Sequence, residues 1–442
     1  MNVGPPLFRV LRAGEPGFEE RLRAIAERVT AGDADVEPTV REILDDVRSR
    51  GDAALEEATL RFDGIDLAGR IEIRREELRA AEASLDGGAR RALALAARRI
   101  RDFHKRQVQK GWRYRDAVGL VLGQKVDPLD RVGVYVPGGR ASYPSSVLMN
   151  VIPAKVAGVG EVIAVSPPSP MEGSYPAVLA AASIAGVDRF FRVGGAQAVG
   201  ALAFGTATVP RVDKIVGPGN VWVQTAKRLV FGLVGIDNFA GASEVLVIAD
   251  RSTKAEWIAA DLLSQAEHDE LASAVCVTTS SAVAEAVRSE VERQVVVLPR
   301  RETAERSLSR FGAVFVVDGM RQAIEVANRI APEHLELAVE RPERWVHGIR
   351  HAGAIFLGAH APEAVGDYVA GPNHVLPTGA TARFGSPLGV YDFIKRTSII
   401  GATASALRRL GPAVVRLAEI EGLEAHARSV KVRLRSARAR RR

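Results

Sequence analysis

Residues 131–166, RVGVYVPGGRASYPSSVLMNVIPAKVAGVGEVIAVS, decide the fold. A short apolar run, Val132–Val136, meets Pro-Gly-Gly, an alanine- and valine-containing stretch of helical length follows, and a second apolar run, Glu161–Ser166, closes the unit. Short β-branched runs without polar alternation suit strands covered on both faces, so this order predicts two parallel strands joined by a crossover helix. The texture continues outward through RFFRV (189–193), VDKIV (212–216), EVLVIA (244–249), AVCVTT (274–279), QVVVL (294–298) and AVFVV (313–317), separated by helical patterns. The expected class is α/β, with two incomplete Rossmann-like parallel-sheet domains and helical N- and C-terminal arms. Glycine usage sets the expected boundaries. Residues 133–242 form one domain inserted into another made of 32–132 plus 243–387, and 1–31 and 388–442 are the arms.

Upstream of this region the pattern is helical. Residues 16–31 read as an amphipathic helix, and Thr39–Glu42 as a capping box for a helix carrying Val40, Ile43, Leu44 and Val47, stopped by Gly51. Helical patterns then continue to about residue 112. At 442 residues and 47% hydrophobic, the chain buries a large core and predicts more than one domain. The basicity is local. Residues 428–442 hold eight Lys/Arg and no acid, leaving 52 basic against 53 acidic residues elsewhere, so nucleic-acid binding is not expected as the primary function. This tail reads as a disordered solubilising segment.

The single cysteine, Cys276, excludes an intrachain disulfide and reads as a core residue of a cytoplasmic protein. The N-terminus lacks a signal-peptide pattern, and no apolar run approaches the roughly 18 residues of a membrane span, so no membrane association is expected.

Chemistry concentrates in the second half. Glu333-His334 follows Pro332 between a helical pattern and a strand-like run, a carboxylate beside an imidazole and so a candidate general-base pair. Gln265 and His268 stand three apart at the end of a helical run, and can share a face as metal ligands or simply be solvated. Asp367 lies in a glycine-containing loop with His374 nearby, and carboxylate plus imidazole suits zinc or a similar ion. Glu421 and His426 would sit about 140° apart on one helix, but Gly422 between them predicts a break that frees both to face one site. His104, His347, His351 and His360 read as surface residues.

Three turns run from strand into glycine and then helix: Tyr135–Gly139, Val193–Gln197 and Val216–Asn220. Each is compatible with an ordinary tight turn. Together they also fit a nucleotide site at the carboxyl ends of parallel strands, with Tyr135, Gln197 and Asn220 as polar contacts. Gly158-Val-Gly160 has the reverse order, helix into strand, and reads as a helix C-cap.

Taken together these segments resemble the histidinol dehydrogenase family. The resemblance runs from Val40 to His426 through GVYVPGGRASYPSSVLMNVIPAKVAGV, GGAQAVGALAFGT, KIVGPGN, SEVLVIAD, SQAEHD, NRIAPEHLEL, AVGDYVAGPNHVLPT and EGLEAH. It implies one zinc per subunit held by Gln265, His268, Asp367 and His426, a catalytic pair Glu333 and His334, further substrate contacts from Ser243, His374 and Glu421, and NAD contacts from Tyr135, Gln197 and Asn220. The implied reaction is four-electron oxidation of L-histidinol through L-histidinal to L-histidine with two NAD. An intertwined homodimer with shared active sites is implied as well. Segment 237–243 lacks the prolines of the family pattern, and the Arg-rich tail lies outside it. The alternative expectation is a sister zinc- and NAD-dependent dehydrogenase of another polyol, such as a sulfonated propanediol. A thiohemiacetal route is not expected with Cys276 in the core.

Overall fold

The computed structural model describes residues 7–28, 33–138, 143–168, 175–238 and 241–439. Gly139, the 31/32 boundary, Phe239 and Ala240 of segment 237–243, and the last three arginines lie outside the described residues. The chain divides into two compact units, 1–107 with 130–393, and 108–129 with 394–442.

Two six-stranded sheets carry the first unit. One has the order β2 (Glu72–Ile73), β7 (Arg189–Phe191), β6 (Glu161–Val165), β5 (Arg131–Tyr135), β8 (Lys214–Val216), β9 (Gly235–Ile236). It is parallel except for β2 against β7. The other has the order β1 (Arg9–Arg12), β12 (Ala313–Val316), β11 (Ser273–Thr278), β10 (Glu244–Ala249), β13 (His334–Ala338), β14 (Ala354–Leu357), and is parallel throughout. In both, the chain moves outward from a central strand, then crosses back to its other side. Strand order thus reverses between β5 and β8 and between β10 and β13, the arrangement of half a doubly wound sheet.

Alternate residues of the second sheet feed two cores. Val245, Val247, Cys276 and Val314 pack under helices Ala255–Ala266, Ser281–Val295 and Arg301–Phe311. Leu246, Ile248, Val275, Phe315 and Leu335 pack with helices Phe18–Ala26 and Met320–Ile330 on the opposite face. Cover on both faces is why these runs carry no polar alternation. Cys276 is fully buried, and burial pushes its thiol up to about 12. In the first sheet, helix Pro144–Ala157 has proline at its start and stops at Gly158, whose φ of 90° is left-handed. Gly158 is therefore a C-cap, as its position between helix and strand implies.

Several local expectations are corrected. QVVVL is not a strand: Val287, Val291 and Val295 form the buried stripe of a helix ending at Val295, and Val296 and Val297 are exposed before Pro299. Thr39 caps nothing, because that helix already begins at Asp33 and runs to Arg50, although Gly51 does end it. The N-terminal arm is not purely helical, since β1 is an edge strand of the second sheet. Helix Asp33–Arg50 meets Gly195–Phe204 and Val221–Val230 of the first sheet, while helix Gly87–His104 meets both Pro144–Ala157 and Gly366–Ala370. His104 is fully buried, with Nδ1 2.8 Å from the Ile100 carbonyl, because the helix Gly87–His104 turns that face inward.

The second unit is a three-stranded antiparallel sheet, β15 (Ile394–Gly401), β4 (Val121–Pro128), β3 (Trp112–Arg115), with two helices, Ala404–Ile420 and Glu424–Ala439. The C-terminal arm thus contains a strand that helical patterning missed. Its basic tail is helical through Ala439 rather than disordered, because Val430 and Leu434, one turn apart, close over Gly411. Among the described residues no helix is long and apolar enough to cross a membrane.

Candidate active site

The acid/base pair is set by a helix-to-strand junction. Helix Met320–Ile330 ends at Ala331, held left-handed at φ 53°, and Pro332 turns the chain so that His334 opens β13. Glu333 and His334 are both buried. They lie at the amino end of the strand, not at the carboxyl end where open α/β sheets usually collect ligands. Gly353 makes this possible: a Cβ there would stand 2.6 Å from the Glu333 carbonyl oxygen, so only glycine lets β14 begin so close.

Glu244, at the head of β10, braces the pair. Its Oε2 accepts the Glu333 N–H (3.1 Å), while Glu333 Oε2 accepts the Glu244 N–H (3.0 Å). The other Glu244 oxygen accepts from Arg28 Nη2 (2.7 Å) and the Gly379 N–H (3.0 Å), so the buried carboxylate is paired and hydrogen-bonded. The Glu244 carbonyl lies 3.1 Å from His334 Nδ1. A carbonyl only accepts, so Nδ1 carries the proton and the lone pair of neutral His334 is on Nε2. That Nε2 is buried without a hydrogen-bond partner and lies 3.7 Å from Asp367 Oδ1.

Carboxylates crowd this imidazole. Glu333 Oε2 is 3.7 Å and Glu363 Oε1 3.8 Å from Nδ1. Burial lowers the His334 pKa, but Glu333, Glu363 and Asp367 outweigh it and lift it to about 10. Burial pushes Glu333 up to about 8 and Glu363 to about 7, with His334 opposing both. Asp367 stays below the usual carboxylate range: burial raises it, but the contact with His334 prevails.

His334, Glu363 and Asp367 offer ligand atoms within 4.8 Å of one another, a group able to hold a metal ion. Gln265, in the last turn of helix Ala255–Ala266, donates to both oxygens of Glu363 at 3.1 Å when its amide nitrogen faces them. The chain then tightens, the His268 N–H bonding the Gln265 carbonyl (3.1 Å), and His268 lies within electrostatic reach of Asp367. His374 Nδ1 is 3.0 Å from the Asp367 carbonyl. Gln265, His268, Asp367 and the neighbouring Glu363 offer oxygen and nitrogen donors with excess negative charge, a set whose chemistry fits a divalent ion such as zinc.

Of the residues singled out in the sequence, Gln265, His268, Glu333, His334, Asp367 and His374 therefore come together. Ser243 is the residue before β10, its carbonyl accepting from the Ser273 N–H. Glu421 and His426 belong to the second unit. Glu421 caps the helix Ala404–Ile420, Gly422 is left-handed at φ 71°, and His426 is exposed on the following helix, which is the break expected there. Sequence reading missed Glu244, Glu363, Arg28, half-buried Asp261 and buried Glu336, and Glu336 Oε1 accepts the Glu363 N–H (2.9 Å). Only Glu363 left a signal, four residues before Asp367.

The three glycine turns follow the carboxyl ends of β5, β7 and β8. The Tyr135 hydroxyl accepts the Gly195 N–H (3.1 Å), joining the first turn to the second. Gln197 is buried in helix Gly195–Phe204, and Asn220 caps helix Val221–Val230 by accepting the Val223 N–H (3.2 Å). Strand order reverses between β5 and β8, so Tyr135 and Asn220 flank a switch-point crevice, the place where such sheets bind nucleotides.

Fold and site thus define an α/β protein built on two incomplete doubly wound sheets, with a buried acid/base cluster at the amino end of β13. The histidinol dehydrogenase family profile matches residues 26–434, and the chain belongs to that family. It is 56% identical to the histidinol dehydrogenase of Syntrophotalea carbinolica over 97% of this chain and 100% of that one. It is also 56% identical to that of Aromatoleum aromaticum, over 98% and 99%. A crystal structure of histidinol dehydrogenase from Elizabethkingia anophelis superposes with a TM-score of 0.92 at 35% identity, covering 98% of this chain and 99% of that one.

Proposed function

We propose that this chain is a cytoplasmic, zinc-dependent histidinol dehydrogenase that oxidises L-histidinol through L-histidinal to L-histidine with two NAD, the closing steps of histidine biosynthesis. The braced Glu333–His334 pair amid Gln265, His268 and Asp367 carries the reading. An NAD-dependent oxidoreductase of this family needs a base for the alcohol and a second group for the aldehyde, and the pair supplies both.

Gln265, His268 and Asp367 would hold the zinc, with His426 supplied by the partner subunit in a homodimer whose arms complete each other's sites. Bound zinc would anchor the imidazole and amino nitrogens of histidinol. Ser243, His374 and Glu421 would contact the same substrate, Glu421 matching its ammonium group. Tyr135, Gln197 and Asn220 would contact NAD, which accepts a hydride in each oxidation.

In its neutral form, reached against the carboxylates that favour the imidazolium, His334 would take the hydroxyl proton on Nε2, its Nδ1–H remaining on the Glu244 carbonyl. Glu333 then activates the water that hydrates the aldehyde, its carboxylate steadied by the Glu244 N–H. Burial keeps bulk water from the pair, so the aldehyde is oxidised where it forms.

The test is substrate choice. Zinc-loaded protein should turn over histidinol with kcat/KM at least about a hundredfold above a sulfonated propanediol, because a site built for an ammonium group leaves its carboxylate unpaired against a sulfonate. Equal or reversed preference would overturn the assignment.

A further inference from the structure

Lys227 is fully buried and lies in the helix that leads away from the third glycine turn, where no step of the reaction uses it. Asp237, just past β9, has a side chain only 3% exposed and pairs with it. Both hold one residue, Gly217, through the peptide groups on either side of it. Lys227 Nζ donates to the Gly217 carbonyl (3.0 Å) and to Asp237 Oδ1, while Asp237 Oδ2 accepts the Gly217 N–H (2.7 Å). Gly217 is thus gripped at its donor and its acceptor by two side chains that are themselves an ion pair.

Gly217 has φ 111° and presses on the Tyr135 backbone, where a Cβ would overlap the Tyr135 carbonyl oxygen. Tyr135 in turn holds Gly195 through its hydroxyl. One connected set therefore fixes all three turns of the switch-point crevice. The pair also touches the next residue of the chain, Lys227 Nζ lying 3.5 Å from the Asn238 carbonyl, and Asn238 Nδ2 donates to the Ser386 carbonyl (2.9 Å).

We infer that Lys227 and Asp237 are positioning residues for the dinucleotide, locking the Val216–Asn220 turn in its binding conformation. A buried ion pair is a poor way to gain stability, since an apolar pair of the same volume does as well. What an apolar pair cannot do is satisfy the N–H and C=O of a glycine held left-handed. Asp237 sits between Lys227 and, more distantly, Lys214, and burial, the largest influence, raises its pKa while Lys227 opposes it. Pairing and the Gly217 N–H keep the carboxylate useful as an acceptor.

This inference rests on the NAD-dependent reading above, and the assay separates the two. Full-length, zinc-loaded protein is assayed with histidinol and NAD as wild type, as Lys227→Met/Asp237→Leu, which keeps the pocket filled without charge, and as Asp237→Asn. The double variant should show KM for NAD raised at least tenfold, with kcat at saturating NAD within twofold and histidinol KM and zinc content unchanged. Asp237→Asn keeps an oxygen for Gly217 but loses its charge, so a rise of a few fold is expected. A KM for NAD at the wild-type value in whichever variant folds overturns the inference, as does a parallel loss of kcat, both KM values and melting temperature, which marks a merely structural pair. Wild type without NAD-linked turnover would instead overturn the functional reading.

Discussion

Gly353→Ala probes the packing that places Glu333 and His334, the proposed catalytic pair. The new Cβ would lie 2.6 Å from the Glu333 carbonyl oxygen, and also 3.3 Å from its carbonyl carbon and Cα, all backbone atoms. Ordinary contact begins at 3.4 Å, so β14 and the head of β13 must separate by about 0.8 Å. The Ala354 N–H to Glu333 carbonyl bond (2.8 Å) lies across this gap and must lengthen. Overpacking of this kind costs about 1–3 kcal/mol of stability, and a misplacement near 1 Å at a catalytic group costs up to about 100-fold in rate. The expected variant is folded, less stable by that amount, and 10- to 100-fold down in kcat by the same scaling, with KM for NAD unchanged because the crevice is remote in the chain. Urea titration and steady-state kinetics read both quantities. Gly319→Ala, where a Cβ meets nothing within 4 Å, is the control and should keep wild-type kcat, losing at most about 1 kcal/mol because Gly319 is the N-cap of helix Met320–Ile330. Wild-type kcat and stability in Gly353→Ala would refute the claim that this contact positions Glu333.

Three further outcomes are expected. His268→Ala and Asp367→Ala should each lose tightly bound zinc and turnover, and metal analysis showing stoichiometric zinc with near wild-type activity in both would contradict the ligand assignment. Glu333→Gln should slow oxidation of supplied histidinal more than that of histidinol, by about 100-fold or more for a lost general base, and His334→Asn should do the reverse; equal losses in both half-reactions would remove the division of labour. Co-refolding inactive His334→Asn with inactive His426→Ala should restore up to about a quarter of wild-type sites if sites are shared across a two-fold dimer, and heterodimers without activity would exclude sharing.

Much of the fold was legible because the inner strands β5, β6, β10, β11 and β12 are compact, mostly apolar runs and several crossover helices stop at glycine, as at Gly158 and Gly312. QVVVL misled because valines four apart, Val287, Val291 and Val295, belong to a helix stripe that continues into that run. Strands β4 and β15 were missed because their residues are mostly half-exposed or polar, and pairing with each other, not local pattern, makes them strands. The same limit applies to the site. Glu333, His334, Gln265, His268 and Asp367 stand out as residue types in telling local contexts, whereas Glu244 opens an unremarkable strand and acquires its role only through a partner 89 residues away. Lys227 reads as the ordinary basic residue of a last helical turn, and only the fold buries it beside Gly217. Long-range pairing of charges leaves no periodic trace in sequence.

The central claim, that one site carries an alcohol through to the acid, is tested most directly by stoichiometry. With zinc-loaded protein, limiting L-histidinol and excess NAD, the expected yield is two NADH per histidinol consumed, with L-histidine as product and no free histidinal trapped by semicarbazide. One NADH per histidinol, with histidinal accumulating in the trap, would contradict it.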